Sequence, residues 1–322
     1  MLDVALSQVT TARWELSREL AHLTEHGFSA LALWRPKVSD LGVAAAAARL
    51  ARFGIRGSSL QWAGGFTGSD GRSFAESVAD AADCIEAAAA LGTAGHRPVL
   101  VVHSGCRGGH TRTHAVRLLD EALETLLPLA DRRSVTLAVK PIQASAAPGC
   151  SFLTRLEEAL ALVERFADPC VRLALDLWQF ADDPEIEPLL PSLARTAAIV
   201  QVADRGGPVI PGADRLPAGL GELPLERLVA GLWAAGYRGA FEFDPVGEAV
   251  ETRGYARVLR ETRAVVDGWT ARLPVEDEAE PVEGPQARAA FANPGDPAHF
   301  SGAESLRGSR RSHASSQVVS PG

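Results

Sequence analysis

The sequence is short of several things, and each shortage removes a class of protein. Aromatic residues make up only 6% of 322 positions, so the apolar fraction of 46% rests on Ala, Leu and Val, which suits helices packed on a buried sheet. Basic charge is also scarce: 32 Lys and Arg stand against 40 Asp and Glu, a net charge of −8 and a pI near 5.6. Binding to a phosphate backbone needs a basic surface, so nucleic acid is excluded as the expected partner. No run of 18 apolar residues occurs, and Met1 to Gln8 lacks a basic and then apolar leader. The expectation is a soluble, cytoplasmic protein with no membrane contact. Cys84, Cys106, Cys150 and Cys170 contain no CxxC pair, which fits reduced thiols and neither a disulfide framework nor a zinc knot.

What is present is alternation. Strand-like runs at 3–9, 30–34, 55–61 and 98–103 are each followed by a helical stretch, at 12–26, 43–53, 73–91 and 113–132. Gly27 and Gly54 close two of those helices, as glycine commonly does just past a helix end. Ser73 with Glu76, and Thr154 with Glu157, have capping-box spacing. Four further runs end at Lys140, Asp176, Gln201 and Asp244, with helices expected from 154, at 225–235 and at 252–269. Eight strand–helix units in about 270 residues predict a single (β/α)8 TIM barrel over 1–272, its strands parallel. From 273 to 322 the composition turns acidic and proline-bearing, then Ser-, Gly- and Arg-rich, and a disordered tail is expected there.

Parallel strands read as short apolar runs, and their C-terminal ends share one face of a barrel. Lys140, Asp176, Gln201 and Asp244 should therefore meet in one pocket. His103 ends the fourth strand and is followed by Ser104, Gly105, Gly108 and Gly109, whose backbone amides could approach an oxyanion. A plain turn accounts for the same loop. Trp62 sits beside Gly64, Gly65 and Phe66, where a ring could stack on a sugar or simply cap the core. Trp34, Arg35 and Trp178 carry the same two readings. Cys106 reads as an inert thiol, because nothing marks an activated thiolate. Asp204, Arg205 and Arg215 surround the seventh strand end, either toward substrate oxygens or as surface ion pairs.

The segments Val101-Val102-His103-Ser104-Gly105, Leu137-Ala138-Val139-Lys140-Pro141, Leu173-Ala174-Leu175-Asp176, Val200-Gln201-Val202-Ala203-Asp204 and Gly236-Tyr237-Arg238-Gly239 resemble the xylose isomerase-like TIM barrels. These are the sugar-phosphate isomerase and epimerase relatives, a superfamily that includes endonuclease IV-type enzymes. The resemblance spans 1 to about 270. It implies a divalent metal held by acids at strands five, six and eight and a His at strand seven. Those places fall on Lys140, Asp176, Gln201 and Asp244. The positions three residues beyond strands five and six, where relatives often carry His, are Gln143 and Gln179.

A Lys at the strand-five position donates hydrogen bonds and repels a cation. Lys140 is therefore expected to stand near where a metal would be, between Asp176 and Asp244, allowing both carboxylates to ionise. No cofactor is expected; Mn²⁺, Mg²⁺ or Zn²⁺ enters only if Lys140 is displaced. The site reads either as purpose-built and metal-independent or as a decayed metal site.

The first function is an isomerase or epimerase of a small polyhydroxy carbonyl compound. Asp244 would be its base and Lys140 its electrophile or Schiff-base amine, with Asp176 the third catalytic residue. His103, Trp62, Gln143, Gln179, Gln201 and Arg215 would bind substrate. The second is a non-catalytic binding protein on the same barrel. The expected partner is a sugar-like small molecule, and a homo-oligomer is compatible with the sequence.

Overall fold

A computed structural model describes residues 1–93 and 95–273. The expected tail lies outside the described residues, apart from Leu273. In chain order the elements are β1 (Val4–Ser7), α1 (Leu16–Glu25), β2 (Ala30–Trp34), α2 (Arg35–Leu41), α3 (Val43–Phe53), β3 (Arg56–Gly64) and α4 (Phe74–Leu91). There follow β4 (Val99–His103), α5 (Arg112–Arg132), β5 (Thr136–Val139), α6 (Leu156–Phe166), β6 (Val171–Asp176), α7 (Leu177–Phe180) and α8 (Ile186–Thr196). The remainder is β7 (Ala197–Val202), α9 (Leu225–Ala234), β8 (Ala240–Phe243), α10 (Glu248–Arg253) and α11 (Tyr255–Arg272). Each strand pairs in parallel with the next, and β8 closes on β1 through Val4↔Phe241 and Ala5↔Glu242. The predicted eight-stranded barrel is the observed fold.

Period-two alternation divides every strand between two environments. Leu100, Val102, Leu137, Val139, Leu173 and Leu175 belong to the large core shared with the helices. Val99, Val101, Ala138, Ala174 and Ile199 form a separate cluster, the apolar packing of the barrel interior. That cluster holds two alanines and no aromatic ring, and the interior also takes polar side chains from β3, β7 and β8.

The helix signals held in one case and failed in another. Ser73 accepts from the Glu76 amide at 3.2 Å while the Glu76 carboxylate accepts from the Ser73 amide at 2.7 Å, the reciprocal box that opens α4. The pair Thr154 and Glu157 makes no such box. Arg155 occupies the N-cap of α6 without a side-chain bond, and Leu156 is the first helical residue. α11 begins at Tyr255 rather than near 252, because Gly254 with φ +78° separates it from the short α10. α2, α7 and α8 were not anticipated; α7 is a single turn and α8 carries an internal Pro191.

Candidate functional site

The C-terminal strand ends surround a cavity of about 480 Å³. Two glycines bring the β3 and β4 loops close enough to wall it. Gly64 (φ +137°) packs so tightly on the His103 backbone that a Cβ would come within 2.1 Å of its carbonyl oxygen. Gly105 (φ +84°) would put a Cβ 2.8 Å from the Gly65 Cα. Only glycine tolerates both the backbone angle and the approach. These glycines fix the placement of His103 and Trp62.

Four strand-end residues are tied into one network, with Arg215 as a fifth member. The Lys140 amine donates to a carboxylate oxygen of Asp176 at 2.9 Å and to the side-chain carbonyl of Gln201. Arg215 donates to Asp176 through both terminal nitrogens, at 2.8 and 3.2 Å, and to Asp244 at 2.8 Å. Asp176 also accepts from the Gln179 amide at 2.7 Å and from the backbone of Trp178 at 3.1 Å. Arg215 lies under the Trp178 ring system, its guanidinium carbon 5.0 Å from the ring centroid. It reaches the mouth because its loop is pinned to the β8 end, where Arg215 and Val246 exchange backbone hydrogen bonds.

This corrects the expected arrangement. Arg215, not Lys140, bridges Asp176 and Asp244, because the planar fork of a guanidinium can serve two carboxylates at once. Two cations balance two carboxylates in the cluster. For Asp176, burial would raise the pKa, but Arg215 and then Lys140 outweigh it and hold the carboxyl well below its usual range. For Asp244, burial wins over the shared guanidinium and, with the charge of Asp176, raises the pKa.

The five positions therefore do not offer a face to a divalent ion. Asp176 accepts from a guanidinium, an ammonium, an amide and a backbone N–H, Asp244 is bound by the same guanidinium, and the Gln201 carbonyl is taken by Lys140. Among the described residues, the group of three metal-donor side chains with mutually close ligand atoms lies at the end of α1 and its cap, none of them a strand-end residue.

Of the residues expected to act on substrate, Lys140, Asp176, His103, Trp62, Gln179 and Arg215 line the cavity. Gln201, Asp244 and Gln143 are outside its lining. Gln201 is fully buried beneath Lys140. Gln143 turns its side chain to Ser145 and gives its backbone N–H to Gln179. His103 is mostly buried, its Nδ1 has no hydrogen-bond partner, and burial lowers its pKa. Trp62 is 51% exposed and meets the His103 ring edge-on, with centroids 6.2 Å apart. Arg205 is committed to Asp182 and to the Trp178 carbonyl, and Arg35 to Asp80, so neither serves the cavity. His110 bonds the Thr67 carbonyl, and its ring packs against His114.

Sequence reasoning missed Glu242. It is fully buried on β8, in register with Gln201, and its carboxylate accepts from the Ser58 hydroxyl at 2.7 Å and the Gln61 amide at 3.3 Å. Burial pushes its pKa up to about 7. The alternation Phe241-Glu242-Phe243 was the available signal, since the two rings join the outer core and leave Glu242 to the interior. The cavity wall supplied by Ile142, Ala146, Ala147 and Cys150 comes from the long β5–α6 connection, which has no strand or helix period to read.

The family model described as xylose isomerase-like TIM barrel matches residues 20–264. A solved structure of a protein from Sinorhizobium meliloti 1021 superimposes with a TM-score of 0.74 at 21% identity, covering 83% of this chain and 98% of that one. The IOLI protein with a bound zinc atom gives 0.72 at 17% identity, over 84% and 99%. L-ribulose 3-epimerase gives 0.67 at 18% identity, over 87% and 100%. At such identities the likeness shows the fold alone. No curated protein matches the chain.

Proposed function

The chain belongs to the xylose isomerase-like TIM barrel family, and on that premise we propose that it is a metal-independent isomerase of a small polyhydroxy carbonyl compound. The observation that carries the reading is a base and two cationic donors on one cavity. His103 lines the same space as Lys140 and Arg215, and because its Nδ1 is buried without a partner, Nε2 is the ring nitrogen left to face a substrate. An imidazole whose pKa is lowered by burial is neutral near pH 7 and can accept a proton.

In this scheme the substrate carbonyl oxygen lies toward Lys140 and Arg215. His103 removes a proton from the adjacent carbon, the electron pair moves into an enediolate, and the two cations stabilise its oxygen. The proton on His103 then returns, on the same face, to the carbon that bore the carbonyl, while the hydroxyl proton passes from the neighbouring oxygen to the former carbonyl oxygen, so that carbonyl and hydroxyl exchange places. One free base suits that transfer better than epimerisation, which needs a second carrier on the opposite face. Asp244, the base expected from sequence, is held by Arg215 and does not line the cavity. Asp176 is spent on orienting the two cations. Trp62 supplies an exposed ring for the sugar, and Gln179 fixes Asp176. Epimerases of ribulose and psicose share the fold, which supports the substrate class. The net charge of −8 speaks against nucleic acid as substrate.

A second reading, a binding protein without turnover, is favoured by one observation: the cations are already neutralised by internal carboxylates. Solvent exchange separates the two. In D₂O with EDTA, wild-type protein should wash deuterium into the carbon beside the carbonyl of one compound among free and phosphorylated tetroses to hexoses. His103→Gln should lower that rate by about 10²–10⁴. No exchange with any compound, while one of them still raises the melting temperature, would establish the binding protein instead.

A further inference from the structure

His22, Glu25 and His26 stand on the last turn of α1 and its cap, and their donor atoms all lie within 4.8 Å of one another. We propose that they form a surface site for a divalent transition ion of the zinc class, separate from the barrel mouth. Positions i, i+3 and i+4 share one face of a helix, so the three side chains project together. His22 Nδ1 is 3.1 Å from a carboxylate oxygen of Glu25. Two ligands on one tetrahedral zinc, with bonds of about 2.0–2.1 Å, sit about 3.3 Å apart. The pair is thus already at ligand spacing, and His26 needs only side-chain rotation.

Three further features favour a cation here. The Trp14 ring stacks on His22 at 4.5 Å and 22°, and Trp14 is itself braced edge-on by Tyr255, which restricts the imidazole before any ion arrives. The His26 ring lies nearly parallel to that of His22, at 6.5 Å and 11°. The C-terminal end of a helix carries partial negative charge, which attracts positive ions. Two imidazoles and one carboxylate select zinc, copper or nickel over magnesium and calcium, which demand oxygen donors. Solvent would complete the coordination. A helix that follows a barrel strand runs back toward the strand N-termini, so the last turn of α1 faces away from the mouth. The ion's effect would accordingly be on stability, tying the α1–β2 connection, and not on the chemistry of the cavity.

Calorimetric titration of the untagged, EDTA-stripped full chain with zinc chloride tests this. The expected result is one ion per chain with micromolar affinity and a raised melting temperature, and no response to magnesium chloride. His26→Ala and the double change His22→Ala/His26→Ala should each weaken zinc by about tenfold or more. Their melting temperatures in EDTA report whether the fold is retained. Zinc that does not bind, or that binds the double variant with wild-type affinity, overturns the site. The second outcome would also place the ion elsewhere and count against the metal-independent reading of the mouth, which fails separately if EDTA abolishes exchange.

Discussion

Asp176 and Glu242 are both fully buried on barrel strands, yet burial leaves them at opposite ends of the carboxylate range. Asp176, at the mouth, touches an ammonium and a guanidinium and is held ionised. Glu242, below it in the interior, accepts from a hydroxyl and an amide, both neutral, and its pKa rises to about 7. Desolvation acts on both; the directly bonded partners differ in charge, while the more distant Asp244 and Lys140 act on Glu242 in opposite directions. The mouth is therefore a zone of balanced charge and the interior beneath it a zone where a carboxyl is neutral over much of the pH range. Keeping charge at the mouth, where substrate arrives, is what the proposed chemistry needs.

The largest test of that contrast removes the shared cation. Arg215→Met should cost about 3–5 kcal/mol in urea unfolding, because Asp244 loses the cation it touches and Asp176 keeps only Lys140. A loss under about 1 kcal/mol would mean that charge pairing does not hold the mouth together.

The second test uses pH, where the two acids respond with opposite sign. A raised folded-state pKa contributes stability that is complete below the unfolded value near 4.5 and is lost as pH rises through about 7. Glu242 should thus weaken the fold by about 2–3 kcal/mol between pH 4.5 and 8. Glu242→Gln should flatten that decline and be the more stable protein at pH 8. The lowered pKa of Asp176 acts in the other direction, adding stability above its unfolded value that disappears only on strong acidification. Unfolding free energies of wild type and Glu242→Gln across this range would show a converging pair of curves at low pH.

Much of this contrast could be read before the structure, and the unread part has a physical cause. Strand ends are marked locally, by an apolar run and the polar residue after it, so Lys140, Asp176, Gln201 and Asp244 were visible as a set. The clamp by Arg215 was not, because Arg215 lies well beyond β7 in a loop, and its position depends on a pairing with Val246 that no local pattern encodes. Its neighbour Arg205 looked equivalent in sequence and is spent on Asp182. Glu242 was passed over as part of an apolar run, although alternation alone places it opposite the two phenylalanines. The capping signals show the same limit: Ser73 with Glu76 forms its box, whereas at Thr154 the chain is still approaching the helix.

A third experiment converts the mouth toward the condition of a metal site. Lys140→Glu sets three carboxylates around one guanidinium and should destabilise the protein by roughly 1–3 kcal/mol. Mn²⁺ should not recover this loss while Arg215 still occupies the oxygens of Asp176 and Asp244. Recovery should appear once Arg215→Met is added, since an ion that binds only the folded state stabilises it. Thermal unfolding with and without Mn²⁺ reads both steps, and recovery in the single variant would show that the guanidinium yields more readily than its two contacts imply.

The smallest effect addresses the interior alone. Ser58 gives the Glu242 carboxylate its shorter hydrogen bond, and a donor of this kind favours the ionised form. Ser58→Ala should cost about 1 kcal/mol, the usual worth of one such bond. The more informative readout is the pH at which the stability decline levels off. Losing the donor leaves burial less opposed, so that upper end should move above the wild-type value near 7 while the acid limb of the curve changes little. An equal loss at every pH would mean that Ser58 serves packing and not the charge on Glu242. The same change should leave the Lys140–Asp176–Arg215 cluster undisturbed, because Ser58 makes its bond to Glu242 and none to those three. A shift confined to the Glu242 limb would show that the two carboxylate environments, though stacked in one barrel, titrate independently.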